Sequence, residues 1–223
     1  NGFADRSRLS SLAMGVQLDG SYKLSDAHVV RFGAFFQNER TRSQVTSRVF
    51  PVDAGGVQTT DVPLAITNDA GKTGQLYGVY LQDEWSLTPT LTLNFGARFD
   101  VVRAYTREQQ LSPRANLVWT PTDTTTVHAG FARYFSPPPI ELVASTDIAL
   151  YDNTTAAGDH TDDAPKAERA DYYDVGLVQK LFEGAQVGLD SFFKASHDMI
   201  DEGQFGAPVI LTPFNYLTGR QYG

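Results

Sequence analysis

Apolar and polar residues alternate strictly between residues 91 and 101. The odd positions are apolar, whereas the even positions hold small, polar or charged residues such as Asn94, Arg98 and Asp100. A period of two is typical of a β-strand with two different faces, because successive side chains point to opposite sides. A second strand-like run ends just before Thr88-Pro89-Thr90, so residues 78–101 are predicted to form a hairpin.

The same alternation recurs along the chain, and helical periodicity is almost absent. Further strands are predicted at 11–24, 28–49, 111–121, 125–135, 168–181 and 185–200. Tight turns are expected near positions 25, 89, 123 and 183, and longer connections at 43–73, 136–168 and 201–212. Within these connections, residues 51–73 are predicted to be loop and Ile140–Ser145 a short helical turn. Residues 207–216 fit a strand or a loop, and a last strand is expected to begin near Arg220.

The strand lengths and the two kinds of connection favour a membrane barrel. Strands of roughly 10–16 residues are longer than the five or six typical of soluble sheets, and a bilayer requires long, tilted strands. Short turns on one edge and long loops on the other are typical of bacterial outer-membrane barrels. Tyr22, Trp85, Trp119 and Phe182 lie near the tight-turn edge, as in an interfacial aromatic girdle, although aromatic residues favour strands in any sheet.

A membrane barrel reverses the usual assignment of faces. The apolar positions that we expect to face lipid are Leu91, Leu93, Phe95, Phe99, Leu117 and Trp119. The polar positions that we expect to face the barrel interior are Glu84, Arg98, Asp100, Arg114 and Asn116. An arginine at the bilayer midplane costs roughly 2–4 kcal/mol, so these polar side chains should not face lipid. They either serve a function in the interior or neutralise one another as cross-strand ion pairs.

Composition excludes several classes of function. The chain has 223 residues, of which 41% are hydrophobic and 20% charged, which is not the composition of a disordered protein. Its net charge of −8 and the absence of a basic stripe argue against nucleic acid as a partner. The lack of cysteine excludes disulfides and thiolate metal sites. The mean hydropathy of −0.27 resembles that of a soluble protein but also fits a barrel, because interior positions dilute the apolar ones.

Four motifs occur in a specific order along the chain. They are Gln82-Asp83-Glu84-Trp85, Gly96-Ala97-Arg98-Phe99-Asp100, Ser112-Pro113-Arg114 and Phe135-Ser136-Pro137-Pro138. Each is weak alone, but in this order and spacing they resemble the barrel of TonB-dependent outer-membrane receptors. Residues 166–200 resemble a later hairpin of that family, with Ala167 where the family usually has proline. The resemblance is good from about residue 74 to residue 200.

The resemblance implies a fold and a function. The family barrel is a cylinder of 22 strands plugged by an N-terminal domain, so residues 1–223 are expected to form part of such a barrel. We expect an all-β antiparallel meander of eight to ten long strands, with no plug domain and no signal peptide, from an internal to late part of the full barrel. The implied function is active uptake of a scarce nutrient, such as a siderophore-type metal chelate, a vitamin or a glycan. The location that the resemblance implies is the outer membrane of a Gram-negative bacterium.

The resemblance also implies partners. They are the lipid bilayer, a TonB-type energising protein, the small nutrient and a plug domain that the five interior residues would contact. Two alternatives from the sequence are a small self-contained outer-membrane barrel acting as an adhesin or anchor, and a soluble carbohydrate-binding β-sandwich. An enzyme is not expected, since Ser196 and His197 are adjacent in a strand and point to opposite faces. No cofactor is expected.

The long connection 136–168 contains the candidates for first contact with a ligand. These are Tyr134 and Phe135 at its start, together with Tyr151, Asp159 and His160. The aromatic rings could stack on a ligand or only brace the loop. The acidic run 159–163 offers oxygen atoms of the kind that Ca²⁺ prefers, but it lacks a recognised calcium-loop spacing, so we expect a solvated acidic loop and no metal.

Overall fold

The structure is a computed structural model that describes residues 4–104, 106–140, 149–157, 165–201 and 214–223. This part of the chain contains nine β-strands and one short 3-10 turn, Ala149–Tyr151. The strands are β1 (Ala4–Lys23), β2 (His28–Val49), β3 (Leu64–Thr88), β4 (Leu91–Arg103), β5 (Arg107–Thr122), β6 (Thr125–Ser136), β7 (Glu168–Phe182), β8 (Ala185–Asp201) and β9 (Phe214–Tyr222). No helix among the described residues is long and apolar enough to cross a bilayer.

Each strand pairs antiparallel with its neighbours in sequence, in a single sheet with the order β1 to β9. At one edge of the sheet, the turn edge, the connections are short, and they are residues 24–27, 89–90, 123–124 and 183–184. Gly184 has φ 85°, a backbone conformation that side chains disfavour. At the opposite edge, the loop edge, longer segments such as 50–63 and 137–167 connect the strands. The predicted all-β antiparallel meander of eight to ten long strands is confirmed.

The register separates the sheet into an apolar face and a polar face. Phe95 lies opposite Ala115, and Leu93 lies opposite both Trp85 and Leu117; residues opposite one another share a face. Members of the apolar face from β1 to β8 include Leu18, Phe32, Val79, Leu81, Phe95, Phe99, Leu111, Leu117, Val175, Leu177 and Leu189. Leu81 is 59% exposed and Leu189 is 73% exposed. No second sheet covers this face in the described part of the chain, which a β-sandwich would require.

The apolar face has the height of a bilayer. On β4 it extends from Leu91 to Val101, which is about 33 Å along the strand at about 3.3 Å per residue. At the strand tilt of about 40° that is typical of outer-membrane barrels, this length corresponds to a height of about 25 Å, the typical height of their apolar band. Trp85 and Trp119 lie on this face next to the turn edge. At the other end of the band, the rings of Phe36 and Tyr77 lie 5.1 Å apart.

Beyond this band, the strands continue towards the loop edge and a small core forms on the polar face. It consists of Val49, Ile66, Tyr151 and Ala156, each at most 9% exposed. The two longer loops supply part of this core, since the amide of Thr155 donates a hydrogen bond to the carbonyl of Phe50 at 2.8 Å. Segment 149–157 is thereby fixed against the ends of β2 and β3.

Several predicted boundaries were wrong. β3 begins at Leu64, so only residues 50–63 of the expected loops 51–73 and 43–73 are loop. Residues 64–73 do not alternate strictly between apolar and polar, but they pair residue by residue with β2, for example Thr67 with Thr46. These residues form a strand because they pair with β2, and not because of their own hydrophobic pattern. Similarly, β1 begins at Ala4 and not at position 11, because β2 offers a partner along this whole length.

The last strand also differs from the expectation. β9 begins at Phe214 and not near Arg220, and it pairs with the loop-edge end of β8. The helical turn expected at Ile140–Ser145 lies outside the described residues beyond Ile140, and the first part of 207–216 does so as well.

Candidate functional site

The polar face carries all five side chains that the sequence predicts to be interior. Register places Asn116 opposite Asn94 and Arg114 opposite Gly96. Glu84 lies opposite Asn94 on the other side, and Arg98 and Asp100 continue the same alternation. The six positions predicted to be lipid-facing lie on the opposite, apolar face, and these are Leu91, Leu93, Phe95, Phe99, Leu117 and Trp119.

Arg98 and Asp100 form an ion pair on this face. The Arg98 Nε donates to Asp100 Oδ1 at 2.7 Å and to Oδ2 at 2.9 Å, and Asp100 is 6% exposed. A Cβ atom at Gly78 would lie 2.6 Å from the Arg98 guanidinium and 2.7 Å from the Asp100 carboxylate. The pair therefore lies flat over Gly78, because glycine leaves the space free. Glu84 forms a second pair with Arg31 at 2.9 Å.

Arg114 differs from these paired residues. No carboxylate lies within 4 Å of its guanidinium among the described residues. Its guanidinium carbon lies 5.9 Å from the ring centroid of Tyr80, a cation–π arrangement. The Tyr80 hydroxyl donates to Asp19 Oδ1 at 2.8 Å. Arg114 thus remains a cationic group available to a polar or anionic partner.

Aromatic rings extend this surface across β6, β7 and β8. The rings of Tyr134 and Tyr172 meet edge to face at 6.0 Å, and Tyr172 stacks on Phe192 at 5.8 Å. A shallow concavity of about 210 Å³ lies between this row and Arg114. Sequence reasoning missed Tyr80, Tyr172 and Phe192, although each occupies a position of polar parity in its strand, which is the signal that could have identified them.

A second concavity, of about 330 Å³, lies closer to the loop edge. It is lined in part by Arg98, Arg114, Tyr134 and Phe135. β5 and β6 pair from the turn edge only as far as Arg114 and Ala132. Beyond that point the Gln110 side-chain amide donates to the carbonyl of Tyr134 at 2.9 Å, so a side chain takes the place of a ladder hydrogen bond there. The concavity brings cationic and aromatic groups together near the loop edge.

The loop candidates fall into three groups. Tyr134 is 50% exposed on the polar face, and the ring of Phe135 lies under the Arg169 guanidinium at 5.7 Å. Tyr151 is only 1% exposed, and its hydroxyl lies 3.1 Å from Ser47 Oγ, so its ring braces the loop. Asp159 and His160 lie outside the described residues.

His128, Asp174 and Asp190 form a titratable cluster that sequence reasoning also missed. The His128 Nε2 lies 3.5 Å from Asp174 Oδ2 and 3.2 Å from Asp190 Oδ1. The three side chains come from three adjacent strands, so only the register brings them together. No group of three or more His, Asp or Glu side chains in the described residues has the geometry to hold a metal ion.

Comparison with known proteins identifies the family. Residues 1–222 match the family described as TonB dependent receptor-like, beta-barrel. Over 87 residues the chain is 32% identical to the TonB-dependent transporter Oar of Myxococcus xanthus, which covers 34% of this chain and 8% of that protein.

Solved structures agree at the level of the fold. The copper transporter OprC has a TM-score of 0.68 at 17% identity, covering 97% of this chain and 34% of OprC. The FrpB iron transporter from Neisseria meningitidis (F5-1 variant) has a TM-score of 0.68 at 16% identity, covering 97% and 33%. The ferripyoverdine receptor of the outer membrane of Pseudomonas aeruginosa has a TM-score of 0.58 at 15% identity, covering 98% and 30%.

The chain therefore spans about a third of the length of these solved relatives and less than a tenth of Oar. The relatives are transporters and receptors and not enzymes, in agreement with the prediction from the sequence. Such receptors reside in the outer membrane of Gram-negative bacteria, which is also where the sequence predicted this protein to be. Since the match extends over nearly the whole chain, the protein belongs to the TonB dependent receptor-like, beta-barrel family.

Proposed function

We propose that this sheet is a section of the wall of a larger, closed outer-membrane barrel, 22-stranded as the family resemblance implies. The observation that carries the proposal is the separation of faces, with a continuous and exposed apolar band about 25 Å high on one side. Lipid cannot hydrogen-bond the free edges of β1 and β9, so further strands of the full protein must close the sheet. The apolar face contacts lipid and the polar face lines the interior.

The interior wall fits a plug domain that packs closely against it. Glu84, Arg98, Asp100, Arg114 and Asn116 are the residues that we assign to this contact. Arg98 and Asp100 lie flat over Gly78 and therefore neutralise each other without projecting into the lumen. Arg114 has no such partner among the described residues, so it is the member of the set most available to a plug or a ligand.

The full protein would act as an uptake receptor for a scarce nutrient, energised by a TonB-type protein of the inner membrane. Relatives of this fold include an iron transporter and a receptor bound to ferripyoverdine, which favours a siderophore-type metal chelate over a vitamin or a glycan. Tyr134 and Phe135, with Asp159 and His160 of the same connection, are the candidate contacts at the loop edge. Tyr151 serves the same site indirectly, because its buried ring holds the loop.

Uptake by whole cells tests this function. The full-length protein is expressed in cells that lack their own siderophore receptors, and accumulation of radioactive iron is measured with a panel of ferric siderophores, with a copper chelate as a separate probe. We expect accumulation of at least one chelate, lost when the TonB-type protein is deleted and reduced by Arg114→Gln. Accumulation that persists without the TonB-type protein would overturn the proposal, as would no accumulation of any chelate by a receptor shown to be folded and surface-exposed.

A further inference from the structure

The chain crosses the polar face of the sheet directly after β6. Residues 137–140 are three prolines followed by Ile140, and we call them the proline strap. An added Cβ at Gly74, on the polar face of β3, would collide with the Ile140 side chain, so Ile140 lies directly on Gly74. Since β5 and β4 separate β6 from β3, the strap crosses both strands. An extended proline segment advances about 3.1 Å per residue, so four residues cover most of the three strand spacings of about 4.8 Å.

The wall on the path of the strap is buried. Four of its residues are each at most 8% exposed, and these are Thr41 of β2, Val102 and Asp100 of β4, and Gln110 of β5. Register places them on one diagonal line, which Gly74 of β3 completes. A single sheet leaves its polar face open, so burial along this line requires a cover, and the strap provides it.

Polar contacts tie the strap to this wall. At its far end, the Thr41 hydroxyl donates to the carbonyl of Ile140 at 3.4 Å. At its near end, the Gln110 side-chain amide donates to the carbonyl of Tyr134 at 2.9 Å, just before the strap begins. Pro138, between the two ends, is buried. The strap is therefore held at both ends and packed in the middle.

The return of the same connection to β7 is tied to other strands as well. The amide of Ala167 donates to Glu108 Oε1 at 2.7 Å, and Arg169 Nη2 donates to Glu108 Oε2 at 2.8 Å. Glu108 belongs to β5, which is two strands away from β7. Asn215 of β9 accepts from the amide of Lys166 at 2.8 Å and donates to its carbonyl at 3.0 Å. Both described ends of the connection between β6 and β7 are therefore fixed.

These contacts distinguish the strap from a lid. A lid alternates between two positions, and segments that move in this way have few buried contacts. The strap instead contains a buried proline, covers buried wall residues and fills the space of the Cβ that Gly74 lacks. A glycine in the middle of a strand often marks a place where another group approaches the backbone closely. Here the approaching group is Ile140, so Gly74 is the seat of the strap.

We propose that the proline strap is a permanent part of the interior wall, seated on Gly74 before any cargo arrives. The strap directly follows Tyr134 and Phe135, the candidate cargo contacts, and Pro137 borders the concavity of about 330 Å³ that these rings line. A seated strap fixes this surface in advance, so binding does not include the cost of ordering it. Gly74 acts through the strap and is a positioning residue. The inference rests on the proposed function in one respect, namely that cargo contacts this surface.

Thiol labelling of the full-length protein, with any native cysteine replaced by serine, tests the seat. Val102→Cys places a thiol under the strap, where a bulky, membrane-impermeant maleimide should react with it slowly. Adding Gly74→Ala should displace Ile140. Overpacking of this kind shifts an equilibrium by roughly 5- to 150-fold, so labelling should accelerate by a factor in this range. Gly71→Ala is the matched control on the same strand, because its added Cβ would meet only the carbonyl of Thr41, at 3.5 Å, and it should not accelerate labelling.

Cross-linking tests whether the strap stays seated during transport. The variant combines Ala104→Cys with Ile140→Cys, since both side chains lie beside the position that a Gly74 Cβ would take, Ala104 at 3.3 Å. A short bifunctional thiol reagent joins the two. Accumulation of the ferric siderophore panel by whole cells should be unchanged after joining. Without the cysteine pair, Gly74→Ala should raise the chelate concentration that gives half-maximal accumulation at an unchanged maximal rate, and Gly71→Ala should leave both unchanged.

Equal labelling of Val102→Cys in the Gly74→Ala and Gly71→Ala backgrounds would overturn the seat. Loss of accumulation after joining would overturn the permanence of the strap, which would then be a lid that must leave Gly74. Heat-modifiable migration on gels verifies that each variant is folded, and Ile140→Gly replaces Gly74→Ala if the latter does not fold. If no chelate accumulates, the uptake function fails, but labelling needs no cargo and still decides the seat.

Discussion

The two halves of strands β2 and β3 carry their apolar residues on opposite faces of the sheet. Near the turn edge, Phe32 and Leu81 are exposed on the apolar face, and charged groups such as Arg31 and Glu84 pair on the other side. Beyond the apolar band, the apolar face carries Arg42, whereas the polar face carries the small core that includes Val49 and Ile66. The apolar residues of one strand thus change from one face of the sheet to the other at the end of the band.

The same difference explains the role of the loops. Under the proposed function, lipid contacts the band, so the exposed leucines carry no penalty there. Outside the band, the sheet is stabilised by burial of apolar side chains. Segment 149–157 provides this burial, because Tyr151 and Ala156 pack against Val49 and Ile66. The long connection between β6 and β7 is therefore part of the fold of β2 and β3 and not only a surface for ligands.

Tyr151→Ala should have the largest effect on the outer half. Deleting a large buried aromatic side chain costs about 3–5 kcal/mol, and here the loss falls on the packing of the loop against β2. We expect faster cleavage of segment 137–167 by an external protease on whole cells, with the heat-modifiable barrel intact.

Tyr151→Phe is the control for that experiment. It removes only the hydroxyl contact with Ser47, which is worth about 0.5–1.5 kcal/mol, so cleavage should change little. Loss of the barrel in Tyr151→Ala, without selective cleavage of the loop, would show that the two halves are not independent.

Phe95→Arg should have the next largest effect, and it falls on the other half. Phe95 lies at the middle of the apolar stretch of β4, where an arginine facing lipid costs roughly 2–4 kcal/mol. Yield of folded full-length protein in outer-membrane fractions should fall. Asn94→Arg is the matched control, one residue away on the polar face, and it should insert normally. Equal yields of the two variants would refute the assignment of faces.

Gly96→Ala tests the close contact between β3 and β4. An added Cβ would collide with the backbone carbonyl of Leu81 and with the α-carbon of Gln82, and overpacking of this kind costs about 1–3 kcal/mol. Gly188→Ala is the comparison, because its nearest neighbour would be a Val178 methyl at 3.8 Å. Urea unfolding in lipid vesicles should show destabilisation for Gly96→Ala only. Equal midpoints would mean that the strands separate to accommodate the methyl group.

Some features of this fold could be predicted from the sequence alone, and others could not. Alternation alone predicted the faces of Leu93, Phe95 and Arg98, because one face of the sheet is apolar along the whole band, which requires a strict period of two. It did not predict the start of β3 at Leu64, where apolar and polar residues do not alternate strictly and pairing with β2 fixes the strand. The interior network was partly predicted, but the approach of His128 to Asp190 depends on register across three strands. Arg103 lies two residues beyond Val101, where the apolar alternation of β4 ends, so a search for alternation stops just before it.

The smallest effect is expected from pH at the outer end of β3. Hydrogen bonds from Arg42 and Gln44 hold the pKa of Asp69 at about 2, below its ordinary value of 3.8. A group whose pKa is lowered by folding adds stability above its unfolded value and loses that contribution as pH falls towards the folded value. The unaltered protein should therefore exceed Asp69→Asn in thermal midpoint above pH 4, and the difference should vanish near pH 2. Exposed ion pairs contribute little, so the difference is small at any pH. A difference in thermal midpoint that persists below pH 2 would mean that Asp69 stabilises the protein through packing and not through its charge. The part of β2 and β3 beyond the apolar band would then depend on burial and not on this exposed ion pair.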